Sequence, residues 1–270
     1  NSFDNAMRRQ VFSLPDLLRQ QYQDLEPKAR GILSFQEIFA IQRIILTGCG
    51  DSHAAAMATK YTFEQLTGIP TEIVPALDLS RYYADKQLGF APLNPLVIAV
   101  SNSGGVARVG EAIQRAVRAG AFALAVTGNR DSLLAKSASR VMDLEIPPFE
   151  SAPGVRSYMV SILSLILLAI RIGEVRGRYT MDQANAYRKD LLAQADQLDA
   201  LLPDMDAKCL AVAQSWKDFE AYDYVGAGMD YAAAIGAVGG EPVHLLEVMN
   251  YVAPEQVEQA AALVKAGKVK

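Results

Sequence analysis

The chain has 270 residues, 51% of them apolar, enough for one large domain or two small ones with a sizeable core. Its 26 basic and 30 acidic residues leave a formal net charge of −4 with no block of like charge. That argues against nucleic-acid binding but leaves small anions open, because a few backbone amides can hold one without any net positive charge. Two cysteines, Cys49 and Cys209, make no disulfide framework, so a reducing, cytoplasmic setting is expected. Residues 1–9 lack the apolar core of a signal peptide.

In chain order, residues 1–40 read as a helical leader. Helix patterns cover 17–25 and 35–41, and Ser13-Leu14-Pro15 looks like a helix start. Residues 41–180 alternate strands and helices. Apolar β-branched runs at 43–47, 71–75, 96–101, 122–127 and 141–146 predict strands covered on both faces. Helix patterns at 54–66 and 106–119 lie between them, the second with Val106, Val109, Ile113, Ala116 and Val117 on one face. The alternation predicts an α/β fold: a doubly wound, five-stranded parallel sheet flanked by helices. The longest apolar stretch, 158–172, carries Ser161, Ser164 and Arg171 and is shorter than the ~20 residues a membrane span needs. A buried helix is expected there, and no membrane partner.

Residues 181–270 read as a helical linker and an incomplete second unit. Leu191, Leu192, Ala195, Leu198 and Leu202 line one side of a helix over 181–202, and Pro203 is expected to interrupt it. A helix over 206–219 and a strand beginning at 222–226 follow, then a helix over 254–270 with lysines at its end.

Two strand-to-helix turns have unusual composition. Ligands of open parallel sheets collect at the carboxyl ends of the strands, near a switch in strand order. The first turn reads Thr47-Gly48-Cys49-Gly50-Asp51-Ser52-His53. Its glycines allow close approach to the backbone, and the next helix would offer free amides to an anion. A plain turn capped by Asp51 or Ser52 fits the same residues. The second turn, Ser101-Asn102-Ser103-Gly104-Gly105, supplies hydroxyls, a carboxamide and unhindered amides suited to phosphate oxygens. A loop with a Ser or Asn cap is again the alternative. If the two strands are neighbours, the turns would wrap one anion from two sides.

These two turns, with Ala123-Leu124-Ala125-Val126-Thr127-Gly128-Asn129 and Ser132-Leu133-Leu134-Ala135, resemble the sugar isomerase (SIS) domain family. The resemblance covers residues 40–175 and is strongest to the isomerase part of glucosamine-6-phosphate synthase and related isomerases, deaminases and deglycases. It implies a flavodoxin-like sheet and a phosphorylated sugar or amino sugar as ligand. Phosphate contacts would come from Ser52, Ser101, Asn102 and Ser103, with Gly50 and Gly104 shaping the cradle. Val155 and Ser157, in Gly154-Val155-Arg156-Ser157, would touch the sugar. The family usually has Thr where this chain has Val106, which removes one phosphate hydrogen bond. The stretch 224–231 resembles the opening of a second such domain, after which the family's catalytic glutamate has no counterpart at the expected distance. A homodimer is also implied.

Moving a proton between adjacent carbons needs a carboxylate or histidine base near the cradle. Glu150, His53 and Glu241 are the candidates, with Glu247 and His244 behind them. Glu241-x-x-His244-x-x-Glu247 converges too loosely for a metal site, so no metal and no cofactor is expected. The two resulting expectations are a phosphosugar isomerase, deaminase or deglycase, and a non-catalytic sugar-phosphate sensor.

Overall fold

The computed structural model describes residues 4–89, 95–152, 154–219, 221 and 224–237. Five strands form: β1 (Ile44–Thr47), β2 (Thr71–Ile73), β3 (Leu96–Val100), β4 (Phe122–Thr127) and β5 (Arg140–Asp143). They make one all-parallel sheet in the order β2-β1-β3-β4-β5. The helices are α1 (Ala6–Phe12), α2 (Leu14–Gly31), α3 (Phe35–Ala40), α4 (Asp51–Thr67), α5 (Ala76–Arg81), α6 (Ala107–Arg118), α7 (Leu133–Ser137), α8 (Val155–Val175), α9 (Met181–Trp216) and α10 (Met229–Ala237). The expected five-stranded, doubly wound α/β fold is therefore present. β5 stops at Asp143, short of the expected 146, because Asp143 pairs with Thr127 and β4 ends there.

Alternation along the strands builds two cores. Ile44, Leu46, Leu96, Ile98, Leu124 and Val126 face α2, α4 and α8. Ile45, Val97, Ala99, Ala123 and Ala125 face α5, α6 and α7. The leader joins the first core directly, through Leu14, Leu17, Leu18, Leu25 and Ala29 of α2. α1, which the apolar pattern did not suggest, starts at an Asn5 side-chain cap.

The apolar stretch read as too short for a membrane span is longer than expected. Helix α8 has 21 residues and is long and apolar enough to cross a membrane by length and composition. Its packing makes it a core helix: Val160, Leu163, Leu165, Leu168 and Ile172 are buried in the first core. At Gly173 a Cβ would lie 2.3 Å from the Leu66 carbonyl oxygen, so α8 meets the end of α4 backbone to backbone.

Pro203 does not interrupt α9, contrary to expectation; it lies inside one continuous helix. The helix is anchored on both sides of it. Leu202 is buried just before, and Asp206 just after pairs with Arg8 of α1 at 2.8 Å. Pro203 and Asp199, one turn back, are both exposed, so water can take the carbonyl that loses its partner. Further up α9, buried Arg188 reaches Glu174 of α8 at 2.5 Å and Glu26 of α2 at 3.2 Å, tying three helices together.

Residues 224–227 form no strand, so the described part of the expected second-unit strand is absent, and α10 follows and packs on α4. Tyr222 and Asp223, the catalytic candidate Glu241, His244, Glu247 and the helix expected over 254–270 lie outside the described residues.

Candidate functional site

Strand β1 sits between β2 and β3, so the chain leaves it in one direction and returns on its other side. That reversal is the switch point of the sheet. Thr47 at the end of β1 pairs with Ala99 of β3. The two turns singled out from the sequence therefore leave adjacent strand ends, side by side.

In the first turn the glycines are obligatory. A Cβ on Gly48 would sit 2.9 Å from the His53 amide nitrogen, and Gly50 adopts φ +55°. Gly50 is the N-cap of α4 and has no side chain to cap with, so the alternative of an Asp51 or Ser52 cap does not hold. Its carbonyl accepts from His53 N at 2.9 Å and Ala54 N at 3.1 Å. The first-turn amides of Asp51 and Ser52 stand outside the helical ladder, where an anion is favoured. Ser52 is half-buried beside them.

The second turn is held more tightly. Gly104 N–H donates to Ser101 O at 3.0 Å, and Gly105 N–H donates to Ser103 Oγ at 3.3 Å. Gly104 adopts φ +62°, and a Cβ there would lie 2.3 Å from Ser132 Oγ. Ser101 is buried, while Asn102 and Ser103 are exposed at the rim. The N-cap of α6 is Val106, with no side-chain cap bond, so neither serine nor Asn102 is spent on capping that helix. Val106 is 39% exposed and offers no donor where a threonine would.

A third loop braces the second turn. Gly128 N–H donates to Asn102 O at 2.9 Å, and the Thr127 hydroxyl donates to the same oxygen at 3.3 Å. A Cβ on Gly128 would lie 2.9 Å from Asn102 Oδ1. Ser132, which caps α7 by accepting from Ala135 N, fills the space under Gly104. Thr127, Gly128 and Ser132 stand in segments that carry the family resemblance, but the sequence pattern assigns them no contact in the site. The available signal was a Thr-Gly pair ending a buried strand, followed by a serine cap.

The start of α8 closes the site from the first turn's side. A Cβ on Gly154 would be 2.7 Å from Asp51 Oδ2 and 3.0 Å from Ser157 Oγ. Ser157 Oγ donates to Gly154 O at 3.0 Å, and Val155 is half-buried. The first turn and the start of α8, which carries the sugar candidates Val155 and Ser157, are therefore neighbours.

The two described catalytic candidates are not placed as bases. His53 does not face the cradle as a titrating group. It is 3% exposed, its Nδ1 finds no hydrogen-bond partner among the described residues, and burial lowers its pKa to about 4. Glu150 is exposed and ion-paired to Arg9 at 2.6 Å, and hydrogen bonding from Arg9 holds its carboxyl below the ordinary value. A carboxylate so stabilised is a weaker base, whereas a general base works best with a pKa near the working pH. Among the described residues no group of three His, Cys, Asp or Glu side chains is placed to hold a metal ion.

The SIS domain model matches residues 37–171, half of the chain. The chain belongs to the SIS domain family. Among curated relatives, it is 27% identical over 276 residues to the glutamine–fructose-6-phosphate aminotransferase (isomerizing) of Symbiobacterium thermophilum, covering 98% of this chain and 44% of that protein. It is 25% identical to the Methanosarcina acetivorans protein of the same name, over 87% of this chain and 37% of that one. The SIS chain therefore spans less than half the length of these relatives. The C-terminal domain of glucosamine-fructose-6-phosphate aminotransferase from Francisella tularensis has the same fold, with a TM-score of 0.74 at 16% identity, covering 87% of this chain and 65% of that one. A glucosamine-6-phosphate deaminase from Thermotoga maritima superposes with a TM-score of 0.58 at 17% identity, over 84% and 63% of the two chains.

Proposed function

We propose that this SIS chain binds a phosphorylated sugar or amino sugar at the switch point of its sheet. The phosphate sits on the turn of Ser101, Asn102, Ser103 and Gly104, the amides of the first turn and Ser52 complete the cradle, and the sugar lies toward Val155 and Ser157. The observation that carries this reading is the adjacency of two uncapped helix starts, α4 and α6, behind neighbouring strands β1 and β3. Neither start uses its own serine or asparagine as a cap, so those donors stay available to a ligand.

Isomerase, deaminase or deglycase chemistry adds a base to this binding site. With His53 buried and Glu150 ion-paired, Glu241 is the first candidate for that role, with Glu247 and His244 behind it. The sensor reading is favoured by the same two placements. Binding and turnover are separated by titrating fructose 6-phosphate and glucosamine 6-phosphate calorimetrically, then assaying conversion with each. Binding without conversion identifies a sensor, and conversion lost in Glu241→Gln identifies an enzyme. Absence of binding by any sugar phosphate refutes the cradle. The proposal includes a cytoplasmic homodimer, which light scattering and cell fractionation test.

A further inference from the structure

We infer that Asp51 is a specificity-determining residue that reads the ammonium group of an amino-sugar phosphate. The inference rests on the sugar-phosphate reading above and deepens it by giving the cradle a polarity. The side chains offered by Ser52, Ser101, Asn102 and Ser103 are neutral, whereas Asp51 brings a carboxylate into the first turn. That carboxylate is exposed and makes no hydrogen bond or ion pair among the described residues. It is not a helix cap, because Gly50 holds that position. Its placement is specific. Asp51 Oδ2 and Ser157 Oγ flank the same small gap, 2.7 Å and 3.0 Å from where a Cβ on Gly154 would be, and the gap exists because residue 154 is glycine. Burial first and the Asp51 charge second push the half-buried Tyr158 phenol up, so the field of Asp51 acts on the start of α8.

A carboxylate repels a phosphate, so the phosphate is directed to the second turn and the acid meets the other end of the ligand. There it accepts a hydrogen bond from a hydroxyl or an ammonium group. The ammonium bond is the stronger, because donor and acceptor are both charged.

The test compares glucosamine 6-phosphate with glucose 6-phosphate, which differ by an ammonium against a hydroxyl on one carbon. Calorimetry at neutral pH is expected to show roughly fivefold tighter binding of the amino sugar, the scale of a solvent-accessible ion pair. Asp51→Asn is expected to abolish that preference while glucose 6-phosphate binds as well or better. Asp51→Ser, which keeps a polar residue in the first turn, is the second variant and is expected to do the same. If the wild-type chain binds neither sugar phosphate, the sugar-phosphate reading fails. If it binds both equally, or if both variants keep the preference, the role of Asp51 fails and the reading stands. A lower melting temperature with unchanged preference would mark Asp51 as a helix-dipole charge only and overturns the inference.

Discussion

Gly104→Ala probes the cradle where its geometry is tightest. Two costs add. The residue sits at φ +62°, which costs an L-residue about 1–2 kcal/mol. The new methyl would lie 2.3 Å from Ser132 Oγ, 2.4 Å from Ser132 Cβ and 2.9 Å from Thr127 Oγ1, an overpacking worth about 1–3 kcal/mol. The expected loss is about 2–5 kcal/mol by urea unfolding, or a fall in melting temperature of roughly 5–15 °C. The clash term can be isolated. Ser132→Gly removes two of the three clashing atoms, at a cost of about 1 kcal/mol for the α7 cap and the hydrogen bond its hydroxyl donates to the Asn129 carbonyl. The double variant should lose less than the sum of the two single losses, giving a coupling of about 1–2 kcal/mol in a double-mutant cycle. Inorganic phosphate affinity should fall at least about tenfold in Gly104→Ala, because the displaced turn carries Ser103 and Asn102 away from the anion. A variant within about 0.5 kcal/mol of wild type, with no coupling to Ser132→Gly, would refute the packing argument.

Two further outcomes follow from the same geometry. Val106→Thr restores a hydroxyl at the start of α6 and should tighten sugar-phosphate binding roughly tenfold, the worth of one hydrogen bond to a charged group, with the change confined to phosphorylated ligands in calorimetry. His53 should make stability pH-dependent. Its folded pKa, about 4, is lower than the 6.5 of an ordinary histidine, so the unfolded chain takes up the proton first. Stability is then fully present above the unfolded pKa and declines as pH falls from 6.5 toward 4, by up to about 3 kcal/mol. The urea midpoint of His53→Gln should vary less over that window, and equal slopes in the two proteins would count against a buried neutral imidazole.

The strands were legible because burial on both faces forces near-continuous apolar runs, and β1, β3 and β4 carry them. Their order was not, since it depends on which neighbour each crossover selects. The adjacency of the two turns follows from the pairing of β1 with β3, which no local sequence pattern encodes. Pro203 misled because propensity is local, whereas α9 is held by Leu202 and the Arg8–Asp206 pair from outside its own sequence. His53 is a candidate base by its position after the turn, but the helix rotates it into the interior. The brace from Thr127, Gly128 and Ser132 acts across strands, through hydrogen bonds that no sequence period encodes.

The cradle offers hydroxyls and main-chain amides, on a chain whose formal charge is −4. Its hold on an anion therefore begins at contact distance, with no long-range attraction to gather ligand from bulk solution. Encounter is not accelerated by steering, and salt, which screens the repulsion between like net charges, should raise its rate rather than lower it. Polyanions that crowd onto basic clefts gain nothing from such a site. A sugar phosphate bound there as proposed would be selected at contact, by the shape of a single phosphate group rather than by attraction to a basic cleft.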